Sequence, residues 1–72
     1  MFEFFQDFAR ECKLEFQYTF DADFDAHRFI FVNPRTQRRW TYMIHSEELL
    51  RKTNNDRNGF IDFIVKGATQ LI

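Results

Sequence analysis

Large apolar side chains occupy the even-numbered positions of residues 14–20 and again of residues 39–44, and mostly polar residues stand between them. Alternation with a period of two is typical of half-buried strands, which have one apolar face and one wet face. A segment between them is apolar on both faces, with Phe29 and Phe31 on one and Ile30 and Val32 on the other. This pattern is typical of a central strand. The sequence therefore predicts strands over residues 14–20, 27–33 and 38–45.

Helical spacing appears before and after this strand region. Residues 2–13 predict an amphipathic helix whose apolar face carries Phe5, Phe8, Ala9 and Cys12. Ser46 is expected to cap a short helix. Residues 54–59 should break that helix, and a last helix should run from about 59 to 71.

The predicted elements together define an α+β fold. Their order is α-β-β-β-α-α, with a three-stranded antiparallel meander and helices packed on one face. Residues 1–72 form a single small domain near the lower size limit for a self-sufficient core. The side chains that share the inward faces form the predicted core: Phe5, Phe8, Phe16, Tyr18, Phe29, Phe31, Trp40, Tyr42, Ile44, Phe60 and Ile64.

Composition adds two expectations. Eleven Phe, two Tyr and one Trp in 72 residues exceed what so short a chain easily buries, so some aromatics should lie at the surface and mark an interface. The single Cys12 excludes an internal disulfide and fits a reducing compartment. No apolar run approaches the roughly 20 residues of a membrane span, and Met1 is not followed by a basic segment. A cytoplasmic protein without membrane insertion is expected.

Charge is distributed unevenly along the chain. Residues 1–25 carry seven acids and two bases, whereas residues 26–46 carry four arginines, two histidines and no acid. Residues 47–72 carry four of each sign. The net charge of −1 therefore hides a polar molecule, which bears on partners more than on folding.

Two acidic segments resemble the start of a calcium-binding EF-hand loop. Residues 21–26 have the opening spacing, but Ala26 replaces the turn glycine. Residues 54–65 match better, yet Asn54 and Val65 replace the first and the last carboxylate, and the last supplies much of the charge. We expect this segment to be a polar break in which Gly59 adopts an unusual φ. No metal and no cofactor are predicted.

No catalytic constellation is apparent in the sequence. Ser46 follows His45 directly, but adjacent residues rarely place a nucleophile and its base in hydrogen-bond geometry. Cys12 lies on an apolar helix face, where a thiol behaves as a small hydrophobe. A non-enzymatic protein is expected.

The arginines of the second hairpin carry the most functional content. Arg35, Arg38 and Arg39 cluster near its tip and could grip phosphates or an acidic protein patch. The alternative is a solvated tip, with some arginines paired to the acids of residues 21–25. If Phe29 and Phe31 point towards the helices, Arg28, Ile30 and Val32 must point away from them, because neighbouring strand residues alternate. The open face of the sheet then continues into the arginine cluster. The predicted binding residues are Arg28, Ile30, Val32, Arg35, Arg38, Arg39 and Met43.

Two known layouts resemble this one. The element order and residues 5–14 resemble the opening of a double-stranded-RNA-binding domain, but the lysine-rich start of that family's last helix is absent. Some small phage-encoded anti-CRISPR proteins share the arrangement of a helix, a meander and two helices. Both resemblances concern layout, which does not fix function.

Three functions agree with these observations. The first is a non-catalytic protein-binding module, such as the inhibitors, adaptors and regulators that phages and mobile elements encode. The second is a nucleic-acid binder that uses the arginine hairpin. The third is an assembly subunit that buries its surplus aromatics in a homodimer or larger homo-oligomer.

Overall fold

The computed structural model describes residues 2–72. The elements in chain order are α1 (Glu3–Glu11), β1 (Glu15–Asp21), β2 (Ala26–Asn33), β3 (Arg38–His45), α2 (Ser46–Asn55) and α3 (Arg57–Thr69). This order confirms the predicted α-β-β-β-α-α arrangement, and each strand begins and ends within about a residue of its predicted bounds.

The three strands form an antiparallel meander in the order β1-β2-β3. Both ladders run without interruption, so Phe31 lies between Phe16 on β1 and Trp40 on β3. Phe29 lies in the same way between Tyr18 and Tyr42. Because strand side chains alternate, these aromatics share one face, which we call the covered face. The rings of Phe5 on α1 and Phe60 on α3 pack against it.

The core is centred on β2, where Phe29 and Phe31 are both fully buried. Of the predicted core residues, six are buried: Phe5, Phe29, Phe31, Ile44, Phe60 and Ile64. Four more are half-buried and pack against that cluster: Phe8, Phe16, Trp40 and Tyr42. The predicted core list lacked several smaller residues that are buried: Ala9, Leu14, Ala26, Leu49, Ala68 and Leu71.

One predicted core residue is misassigned. Tyr18 is 37% exposed, and Phe20, two positions further along β1, is 49% exposed. β1 is an edge strand, so Tyr18 has a neighbouring strand on one side only. The ring of Tyr18 contacts the ring of Phe2, the N-cap residue of α1, at a centroid distance of 4.7 Å.

The junction between the last two helices differs from the prediction. α2 extends to Asn55 and α3 begins at Arg57, so Asp56 alone separates them. Gly59 lies inside α3, and neither glycine has a positive φ. Gly59 instead allows the Asp56 carboxylate to lie close to the helix backbone. A Cβ at Gly59 would overlap this carboxylate, which accepts a hydrogen bond from the Gly59 N–H.

Ser46 is the first residue of α2 rather than its cap. His45 holds the capping position with extended backbone and makes no side-chain capping bond. The hydroxyl of Ser46 is engaged elsewhere, as described below. The prediction that Ser46 caps α2 is wrong because its hydroxyl bonds Asp25 and His27 of the first hairpin instead of a backbone N–H of the helix.

Candidate functional site

The sheet face that points away from the helices, which we call the open face, is assembled from cross-strand rows. The three central rows, each read from β1 to β3, are Glu15–Val32–Arg39, Gln17–Ile30–Thr41 and Thr19–Arg28–Met43. Apolar side chains therefore run along β2 and across to β3. In the first of these rows, the β1 edge carries the acidic Glu15 and the β3 edge carries the basic Arg39.

The apolar part of this face is small but accessible. Ile30 and Val32 are half-buried although no helix lies over them, and Met43 is 52% exposed. Apolar side chains of this size at the centre of a polar surround have the anatomy of a protein interface.

Arg28 differs from the other arginines of this region. Its guanidinium lies 3.4 Å from the carboxylate of Asp21, on the neighbouring strand. This pair fulfils part of the alternative interpretation, in which acids of the first hairpin neutralise arginines. Arg28 therefore brings a compensated charge to the open face.

The remaining hairpin arginines are uncompensated. Arg35, Arg38 and Arg39 are exposed, and none of them makes an ion pair with another of residues 2–72. The turn that carries Arg35 is fixed by Asn33, whose Oδ1 accepts from the Arg35 N–H at 3.0 Å. The Asn33 amide also donates to the carbonyl of Leu71 at 2.8 Å, which ties the hairpin to the end of α3.

The structure brings together most, but not all, of the predicted binding residues. Five share the open face: Arg28, Ile30, Val32, Arg39 and Met43. Arg35 lies at the hairpin tip beside them. Arg38 pairs with Asn33 and follows the parity of Trp40, so it occupies a register position of the covered face.

Sequence reasoning missed a chain of side-chain hydrogen bonds at the opposite end of the sheet. Tyr18 Oη lies 2.5 Å from His27 Nδ1, and His27 Nε2 lies 2.7 Å from Ser46 Oγ. Ser46 Oγ in turn donates to Asp25 Oδ1 at 2.7 Å. One feature of the sequence indicates this arrangement. His27 has the same parity as Phe29, so its side chain lies on the covered face, and its partner Ile44 is next to the junction of β3 and α2.

The order of donors and acceptors in this series of hydrogen bonds bears on whether Ser46 could act as a nucleophile. A carboxylate can only accept, so the single hydroxyl proton of Ser46 goes to Asp25. His27 Nε2 must then donate to Ser46, and neutral His27 must accept from Tyr18 at Nδ1. A general base would instead have to accept the serine proton. This series of hydrogen bonds therefore links the first hairpin to α2.

A further question is whether the described residues could act as ligands of a metal ion. Among residues 2–72, no group of three or more His, Cys, Asp or Glu side chains is arranged to hold an ion. In the EF-hand-like segment, Asp56 is occupied as the cap of α3.

Comparison of the chain with models of protein families, with curated proteins and with solved structures gave no match. Within residues 2–72, none of the helices combines the length and the apolar character that a membrane crossing requires.

Proposed function

We propose that this protein is a non-catalytic protein-binding module, an inhibitor, adaptor or regulator that acts by covering a partner surface with its open face. The observation that carries the proposal is the uncovered apolar strip of Ile30, Val32 and Met43, with unpaired Arg39 at its margin. The lone Cys12 suits a cytoplasmic location, where thiols stay reduced.

The charges of the face indicate the chemistry of the partner. Arg39 and Arg35 have no acid to compensate them within residues 2–72. A complementary partner presents an apolar patch against Ile30 and a carboxylate cluster against these two guanidiniums. Arginine binds carboxylates in a bidentate manner, which makes such contacts selective in geometry.

Nucleic acid is the weaker alternative. A surface that follows a phosphate backbone is basic along its length, whereas this face carries Glu15 at one corner and the Arg28–Asp21 pair at the other. Binding to nucleic acid would also weaken steeply with salt, and salt dependence separates it from an interface with an apolar centre.

Self-association is a second candidate, because a specific feature favours it. Four phenylalanines, Phe4, Phe20, Phe24 and Phe63, are 49–67% exposed. In residues 2–72, β1 and β3 each pair with β2 on one side and leave the other edge open, and such an edge can pair with a further strand. A mass that rises with protein concentration would support this candidate.

The test compares a double substitution on the open face with a single charge reversal on the covered-face parity. The open-face variant combines Ile30→Lys with Arg39→Glu, and the matched control is Arg38→Glu, one residue away on the covered-face parity. Proteins retained from a lysate of the source organism are quantified by mass spectrometry, and the leading one is purified for a binding titration. Thermal unfolding followed by circular dichroism checks that both variants remain folded.

We expect the open-face variant to weaken the purified complex by at least about tenfold, since a disrupted interface centre costs more than about 1.4 kcal/mol. Arg38→Glu should bind within about twofold of the parent. Equal losses for both variants would indicate a general charge effect at the hairpin. An unimpaired open-face variant would overturn the proposed surface.

A further inference from the structure

A groove lies on the helical side of the sheet, away from the open face. It has a volume of about 670 Å³, which falls within the range typical of small-molecule sites. Its lining comes from the N-terminal end of the chain, the start of β2, and the helices α2 and α3: Phe2, Phe4, Phe5, His27, Ser46, Leu49, Leu50, Thr53, Asn54, Arg57, Phe60 and Ile61. The lining is predominantly apolar, and two of its residues, Phe4 and Leu50, are more than half exposed.

The charge of this lining is one-sided. It contains no Asp and no Glu, and it contains Arg57. Within residues 2–72 the guanidinium of Arg57 makes no ion pair, unlike those of Arg10, Arg28 and Arg51. The groove therefore combines apolar walls with an uncompensated cation.

The polar groups at the two ends of the groove differ in their availability. At one end, His27 and Ser46 are engaged with each other and with Tyr18 and Asp25. At the other end, Arg57 carries five N–H donors, none of them committed to a carboxylate of residues 2–72. Ser46 and Asn54, which both line the groove and are eight residues apart on α2, lie about 12 Å apart along the helix axis.

From this arrangement we propose that the groove binds a small amphiphilic monocarboxylate. The carboxylate pairs with Arg57, and the aliphatic tail lies along Leu49 and Phe60 towards His27. Charge complementarity sets the class of ligand: an aliphatic tail fits the apolar walls, and a single cation compensates one negative charge but not two. A guanidinium fork also matches the two oxygens of a carboxylate.

The experiment titrates the full chain with octanoate and, separately, with octanol, following backbone amide signals by two-dimensional NMR. Octanol supplies the same tail without the charge. We expect saturable one-to-one binding of octanoate, with shifts concentrated on α2 and the first turns of α3. Octanol should bind about tenfold more weakly, the loss expected for a charge-assisted hydrogen-bonded contact.

Two variants localise the site. Arg57→Gln should weaken octanoate about tenfold and leave octanol unchanged. Leu50→Glu, at an exposed position of the groove, should repel octanoate by placing an acid at its mouth. Arg10→Gln, which removes an arginine paired to Asp7 on α1, is the control and should behave as the parent. Melting curves establish that each variant is folded.

Several outcomes would overturn the proposal. These are an absence of saturation with octanoate, equal affinity for octanoate and octanol, and an Arg57→Gln variant that binds octanoate as the parent does. Shifts confined to exposed aromatics outside the groove, such as Phe24, would also count against it. None of these outcomes involves the open face, so the protein-binding proposal is tested separately.

Discussion

The two faces of β2 are both apolar but differ in what covers them. On the covered face, Phe29 and Phe31 are fully buried beneath the helices. On the open face, Ile30 and Val32 are half-buried with no helix above them. The apolar character of β2 alone therefore does not separate the core face from the face proposed for binding. The neighbours across the strands do: aromatic rings flank the covered pair, and Glu15, Thr41 and Arg39 flank the open pair.

The largest expected effect comes from truncating the same strand on its two faces. Phe31 meets the rings of Phe5, Phe8, Phe16 and Trp40, so Phe31→Ala should lower the free energy of unfolding by about 3–5 kcal/mol. Ile30→Ala should cost about 1 kcal/mol, because its side chain is already partly wet. Urea unfolding of both variants measures the difference, and equal losses would contradict the division into two faces.

The second effect concerns the contact between α3 and β3 on the covered face. A Cβ at Gly67 would overlap the indole ring of Trp40. Alanine normally stabilises a helix by about 1 kcal/mol relative to glycine, but here overpacking should reverse the sign and cost about 1–3 kcal/mol.

The control for Gly67→Ala is the same substitution combined with Trp40→Phe. If the indole causes the loss, the smaller ring should restore part of the helix-propensity gain, and a double-mutant cycle should show coupling. Additive effects in urea unfolding would place the cause elsewhere.

A smaller effect is expected at the polar end of the covered face. Ser46→Ala breaks the link between His27 and Asp25, and we expect a loss of about 1 kcal/mol, typical of one hydrogen-bonded side chain. Thr53→Ala is the control, because the Thr53 hydroxyl bonds carbonyls of its own helix. A similar change in melting temperature for both would show that the chain through Ser46 adds nothing specific.

The sequence was sufficient to predict the parts of the molecule that depend on periodicity. The alternation around Phe16 and Tyr42, and the doubly apolar run from Phe29 to Val32, gave the strands, their order and the two faces. The same parity places Arg38 and Arg39 on different faces of the sheet, whereas the predicted cluster groups the hairpin arginines by their nearness in sequence alone.

Features that depend on three-dimensional proximity could not be predicted in this way. Ser46 looked like a helix cap because its partners, Asp25 and His27, come close only after both hairpins form. Tyr18 satisfied the alternation, yet it lies on an edge strand beside the first residues of α1 and is 37% exposed. The position at which a helix begins over a sheet is not encoded in strand periodicity. The groove at Arg57 depends on three segments distant in sequence, so no local motif marks it.

The smallest expected effect is a dependence of stability on alkaline pH that originates at Tyr42 on the covered face. Burial raises the pKa of the Tyr42 phenol above its ordinary value of 10.0, and the nearby Glu48 carboxylate raises it further. The unfolded chain therefore loses this proton at a lower pH than the folded one. Above about pH 10 the folded state binds more protons, so the free energy of unfolding should fall as pH rises and level off above the folded pKa.

The measurement is urea unfolding at several pH values between about 9 and 11, where the phenol titrates. Tyr42→Phe should reduce the slope of stability against pH, because it removes the group that binds the extra proton. Glu48→Gln should reduce the slope by less, since it removes the smaller of the two causes. A slope unchanged by Tyr42→Phe would show that the phenol is as well hydrated as in the unfolded chain. In that case the covered face would be open to water at β3, and its contrast with the open face would be confined to β2.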